Sequence, residues 1–169
     1  MKKALLILVL SIISVYIGIV SYPPRFSYET CFTPPQLCGD LIVSHINKAK
    51  HSIFVQAYGF TSKKIIDALA RAKNRGLQVE IILDRSNFRE KKYDLLKSLQ
   101  NNQIQIYQDK VAGIAHNKVI IIDENTVITG SFNFTENADK RNAENVIILD
   151  SRDIAKNYYQ NWLFRKSYK

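Results

Sequence analysis

The chain has 169 residues, 46% of them hydrophobic and 23% charged, a length that holds one core of ordinary size and a composition that excludes wholesale disorder. Its 24 Lys and Arg against 15 Asp and Glu leave a formal net charge of +9, a bias that favours polyanionic partners such as nucleic acid or an acidic membrane surface. Lys2 and Lys3 carry the only charges of residues 1–22, so +7 of the excess belongs to the body of the protein.

Residues 1–22 open with those two lysines and continue without a charge over residues 4–20. A positive start ahead of an apolar run is the pattern of a signal peptide, and the run is also near the length that spans a bilayer. Both readings export the body, leaving it periplasmic or membrane-anchored on the outer side of the cytoplasmic membrane. Residues 23–39 contain all four prolines and both cysteines. The Pro-Pro pairs forbid helix and favour extended backbone, so this stretch is expected to be a tether. In an exported protein the pair Cys31 and Cys38 is expected to form one disulfide.

The domain proper is expected over residues 40–169. Helical spacing marks residues 41–50, and a β-branched and aromatic run marks a strand at 52–60. The segment 62–76 reads as a helix that starts at a Ser62 N-cap and stops at Gly76. A strand at 77–84, a helix at 87–102 and a strand at 104–108 follow, then three strands at 116–123, 126–133 and 144–150, and a final helix at 151–169 whose terminal cations suit its dipole. Strands interleaved with helices and then following one another give a mixed α/β sheet flanked by helices on both faces. No internal repeat is visible. His45 and His51 fall in or near the first predicted helix and read as surface residues.

On a strand, residues two apart share a face, so His116 and Lys118 project together, and so do Ser131 and Asn133 on the next strand. Gly130 permits close backbone approach beside them. Asp123 has the opposite parity and sits in a run of turn formers, which gives it a local part in the turn. A histidine, a lysine, a hydroxyl and an amide converging at a sheet edge make a cationic, donor-rich pocket suited to a phosphoryl group.

The spacing His116-x-Lys118, four residues, Asp123, six residues, Gly130-Ser131-x-Asn133 resembles the H-x-K-x4-D-x6-G-S-x-N signature of the phospholipase D superfamily, and the size and single motif are similar to its short bacterial endonucleases. The resemblance implies phosphodiester cleavage without metal or cofactor, with Lys118 supplying the charge a divalent ion would otherwise bring. It makes His116 the nucleophile of a phosphohistidine intermediate, has Lys118 and Asn133 stabilise the phosphoryl oxygens, and places Ser131 in hydrogen bonds within the site. It also groups Asp123 with the catalytic set and gives Glu144 the task of orienting the histidine. Two such histidines must face one phosphate, so a chain with one motif is expected to act as a homodimer.

The substrate is read from the surroundings. Arg85, Arg89, Lys91 and Lys92 stand among Phe88 and Tyr93, and Lys140 and Arg141 lie between the signature and Glu144. Cations interleaved with aromatics suit a groove that tracks a nucleic-acid backbone and stacks bases, DNA and single strands foremost, with RNA not separated from DNA. The alternative is hydrolysis of cardiolipin-like phospholipids, but no apolar docking surface is visible past the tether, and the membrane is reached only through the N-terminal segment if it stays uncleaved.

Overall fold

A computed structural model describes residues 27–89 and 93–168, together with Ile7, Ser11 and Ile12. Apart from those three, the expected leader or anchor lies outside the described residues, as do Lys91 and Lys92. Among the described residues no helix is long and apolar enough to cross a membrane.

The chain runs β1 (Ser27–Thr33), α1 (Cys38–Lys48), β2 (Ser52–Ala57), α2 (Lys63–Asn74), β3 (Gln78–Leu83), a 3₁₀ turn (Arg85–Phe88), α3 (Tyr93–Asn101), β4 (Gln105–Gln108), β5 (Lys118–Ile122), β6 (Thr126–Gly130), α4 (Glu136–Lys140), β7 (Glu144–Asp150) and α5 (Arg152–Ser167). The strands form one seven-stranded sheet in the order β1-β7-β6-β5-β2-β3-β4. β2, β3 and β4 are parallel, and the remaining pairings are antiparallel. This is the mixed, helix-covered sheet that the alternation of elements predicts.

Both faces of the sheet are covered, which explains why β2 and β5 are apolar runs rather than alternating ones: every residue of each is buried. On one face Val55, Ile81, Ile120 and Ile128 pack with Ile42 and Ile46 of α1 and Ile65 and Leu69 of α2. On the other, Phe54, Ile82, Val119, Ile121 and Val127 pack against Trp162 of α5. Trp162 is 1% exposed, and its indole N–H donates to the Val55 carbonyl at 3.0 Å. That bond removes the cost of burying a polar tip on a large apolar body. The α2 boundaries follow the sequence, with Gly76 at φ +90° just beyond its end, although the Ser62 hydroxyl makes no capping hydrogen bond.

One boundary moves. Residues 27–39 are not a tether: β1 pairs with β7 from Ser27 opposite Asp150 to Thr33 opposite Glu144, and α1 begins at Cys38. The prolines at 34–35 follow this strand instead of dissolving it. Cys31 and Thr33 point inward and are buried while their neighbours are exposed. Cys31 and Cys38 are joined in a disulfide, which fixes the end of β1 to the start of α1. There the Gly39 N–H donates to the buried Asp139 of α4 at 2.9 Å, and Lys64 pairs with the other oxygen of the same carboxylate at 2.6 Å. The short α4 was not foreseen; the Thr135 hydroxyl caps it by accepting from the Ala138 N–H at 3.2 Å.

Candidate active site

Strand directions decide where the polar residues meet. β1, β2, β3, β4 and β6 all end, and β5 and β7 both begin, on one edge of the sheet. β5 starts at Lys118 and β6 stops at Gly130, so His116, Ser131 and Asn133 stand on the loops just beyond strand ends, at that edge.

His116 is exposed, and its ring lies 4.7 Å from that of Tyr58, tilted by 59°. Tyr58 is clamped by its backbone: its N–H donates to the Asn117 carbonyl at 2.9 Å and its carbonyl accepts from Asn87 Nδ2 at 2.6 Å. Lys118 is only 7% exposed; its Nζ donates to the His116 carbonyl at 3.0 Å and sits 5.4 Å from the Tyr58 ring centroid. Tyr58 thus supports the His116 ring and the Lys118 amine together. Asn133 Oδ1 is buried without a partner among the described residues, pressed by Gly59, where an added Cβ would lie 3.2 Å from it.

The Ser131 hydroxyl donates to Glu144 Oε2 at 2.5 Å and accepts from the Asn145 N–H at 3.0 Å. The other Glu144 oxygen accepts from Asn142 Nδ2 at 2.9 Å, while the Glu144 N–H donates to the Thr33 hydroxyl at 3.1 Å. Glu144 is therefore committed to Ser131 and Asn142. It does not hydrogen-bond His116, the task expected of it, and among the described residues the His116 imidazole has no hydrogen-bonded partner.

Burial lowers the Lys118 pKa, and the Glu144 charge raises it only in part, so the amine titrates below its ordinary value. The folded state consequently holds this proton less tightly than the unfolded chain, and stability rises with pH through the window between the two values. A phosphoryl group bound at this amine would make the opposite demand, since its oxygens would need the cation. The alkaline limb of kcat/KM is expected to follow the lowered Lys118 value, and Glu144→Gln, which removes the only raising charge, is expected to move that limb to still lower pH. A pH–rate profile checks this, and an unmoved limb would count against Lys118 as the titrating group.

Asp123 is not in this cluster. It sits at the opposite edge, past the end of β5, where it and Glu124 adopt φ of 53° and 51° in the three-residue loop 123–125 that joins β5 to β6. Its carboxylate accepts from the Lys50, His51 and Ser52 N–H groups at 2.9, 2.7 and 2.9 Å. Burial would raise its pKa, but those bonds outweigh it and hold the carboxyl below its ordinary range. Its contribution is to tie β5 to the start of β2. As its strand parity already indicated, it does not join the His116 cluster.

Of the expected nucleic-acid contacts, Arg85 and Arg89 are exposed on and beside the 3₁₀ turn after β3, at the His116 edge. Asp84 links that turn to the loop before His116, accepting from the Ser86 N–H at 2.8 Å and the Ala115 N–H at 2.9 Å. Arg141 is exposed next to Asn142, and Lys140 pairs loosely with Glu136 at 3.7 Å. Lys91 and Lys92 lie outside the described residues. Tyr58, Thr33, Asp84 and Asn142 were missed by the sequence reading. Only Tyr58 left a trace, as an aromatic residue directly after a buried strand. The structure also exposes apolar residues that the reading did not foresee, Ile114 at 58% and Phe164 at 57%. Among the described residues no three of His, Cys, Asp and Glu group to hold a metal ion.

Comparison with known proteins matches residues 42–163 to the family described as cardiolipin synthase, PLD-like domain. The chain is 53% identical over 148 residues to a phospholipase D of Rickettsia conorii, covering 88% of this chain and 74% of that protein. Its fold is similar to that of Nuc from Salmonella typhimurium, a phospholipase D family member, with TM-score 0.79, 36% identity, and 83% and 94% of the two chains covered. NucT from Helicobacter pylori is similar at TM-score 0.74 and 26% identity, with 83% and 98% covered.

Proposed function

The chain belongs to the phospholipase D superfamily and is a phosphodiester hydrolase, and from that premise we propose that it cleaves nucleic acid, single-stranded DNA foremost, through a phosphohistidine formed on His116 in a homodimeric site. A ring nitrogen of His116 attacks phosphorus, and the P–N bond forms as the bond to the leaving oxygen breaks. That oxygen takes a proton from a second imidazole. Water then attacks phosphorus and gives a proton back to the second imidazole, the P–N bond breaks, and a phosphate monoester leaves with His116 restored. Lys118 and Asn133 hold the phosphoryl oxygens, where charge gathers in both steps.

The chain has three histidines. His51 belongs to the opposite edge beside Asp123, and His45 faces Glu29 at 3.3 Å. The second imidazole is accordingly His116 of a second copy, brought in by a two-fold axis. The apolar run over residues 4–20 and the Cys31–Cys38 bridge support an enzyme that works outside the cytoplasm.

The observation that carries the choice of substrate is the placement of Arg85, Arg89 and Arg141, all exposed on the edge that bears the phosphoryl pocket. A long polyanion crossing that edge meets cations on both sides of the reacting phosphate. Phospholipid hydrolysis is the second reading, favoured by the exposed Ile114, Leu163 and Phe164. Labelled single-stranded DNA, duplex DNA, RNA and cardiolipin vesicles, each incubated with the protein in EDTA at two salt concentrations, separate the two. Cleavage of nucleic acid that survives EDTA and weakens steeply with salt is the expected result; turnover of lipid alone would defeat it.

A further inference from the structure

His116 forms one wall of a cleft of about 350 Å³, whose other walls come from Asp109, Val111, Ile114, Asn117, Asn161 and Arg165. We propose that this cleft is a nucleobase subsite, holding the base of the nucleotide next to the scissile phosphate; the proposal rests on the nucleic-acid reading and names where that substrate's specificity is set.

A phosphodiester has a substituent on each side of phosphorus, and with the phosphoryl oxygens held by Lys118 and Asn133 one of them must lie against the surface beside His116. The chemistry of the cleft selects what that substituent can be. Arg165 is its cation, but the guanidinium is neutralised by Asp109: Nε donates to Oδ2 at 3.0 Å and Nη2 donates to Oδ1. A second phosphate would find no unpaired positive charge there, so the cleft does not continue the backbone track. An acyl chain would strip water from the Asn117 and Asn161 carboxamides, neither of which has a side-chain partner among the described residues, and each would be left unpaired at a cost. A flat neutral heterocycle satisfies both demands. Its faces suit Val111 and Ile114, and its donor and acceptor edge suits a carboxamide, which pairs with bases in this way elsewhere. The base must leave its stack to enter, which favours unpaired strands.

The test uses the full chain and two single-stranded oligonucleotides that differ in one nucleotide beside the cleaved phosphate, normal in one and abasic in the other. The intact substrate is expected to be cleaved about 10-fold faster, a difference of about 1.4 kcal/mol, and Asn161→Ala is expected to shrink that ratio toward one. Equal cleavage of both substrates by the unaltered enzyme would overturn the subsite and leave the nucleic-acid reading standing. If neither is cleaved, the nucleic-acid reading fails on its own. Calorimetric binding of adenosine monophosphate against ribose 5-phosphate then decides the cleft: tighter binding of the nucleotide, lost in Asn161→Ala, supports it, and equal binding overturns it.

Discussion

Replacing His116 with alanine is expected to lower turnover by about 10⁴-fold or more, the scale seen when a covalent nucleophile is removed. Without the imidazole no P–N bond can form, and the groups that remain, Lys118 and Asn133, can bind a phosphate without transferring it. The fold should be untouched, because His116 is exposed at a strand end and its imidazole has no hydrogen-bonded partner among the described residues. Thermal unfolding should therefore match that of the unaltered protein. The same variant tests the shared site. When it is mixed with an equal amount of unaltered chain and the copies exchange, half-and-half dimers hold one imidazole where two are needed, and activity should fall to about half. Activity that ignores mixing would overturn the two-copy arrangement, and a fully active variant would overturn the nucleophile.

Gly130→Ala is expected to do comparable harm by a different route. Gly130 has φ +146°, and a Cβ there would stand 2.2 Å from the Asn145 carbonyl oxygen, a backbone atom that cannot swing aside. The strained dihedral and the overlap together should cost about 3–5 kcal/mol, a fall in melting temperature on the order of 10 °C for a chain of this size. Relief of the clash must push the end of β6 away from the start of β7, and that is where Ser131 reaches Glu144. Activity should drop even below the melting transition. Gly113→Ala is the control, since a Cβ there meets nothing within 4 Å; equal melting of the two variants would refute the argument.

The requirement at Gly130 was readable because it is local: a glycine in a strand signals close approach of another backbone. So were the sheet and its helices, since β5 and β7 are apolar runs and α2 ends at a glycine. Strand parity set His116 beside Lys118, but β5 starts only at Lys118 and His116 stands on the loop before it, joined to the lysine through its own carbonyl. What could not be read depends on segments far apart in sequence. Thr33 donates to the Asn142 carbonyl across 109 positions at 2.9 Å, and no pattern around either residue announces it. β1 was hidden for a related reason. The prolines before and after it in sequence dominated the reading, while the pairing with β7 that makes it a strand is visible only in three dimensions. Asp123 shows the converse: its spacing placed it in a catalytic motif, and its parity correctly set it apart.

The direction of β1 bears on what the enzyme can reach. The strand enters the sheet at Ser27 on the edge of Asp123 and leaves it at Thr33 on the edge of His116, so anything upstream of Ser27 is attached at the pole opposite the reacting phosphate. Seven residues of strand separate the two poles, ~20 Å of rise. Six residues, 21–26, separate the apolar run 4–20 from Ser27, and a stretch of that length reaches ~21 Å when fully extended, about the length of the strand itself. Were the apolar run kept in a bilayer, the Asp123 edge would be the one joined to it, and the His116 edge would stand a strand's length farther along the chain.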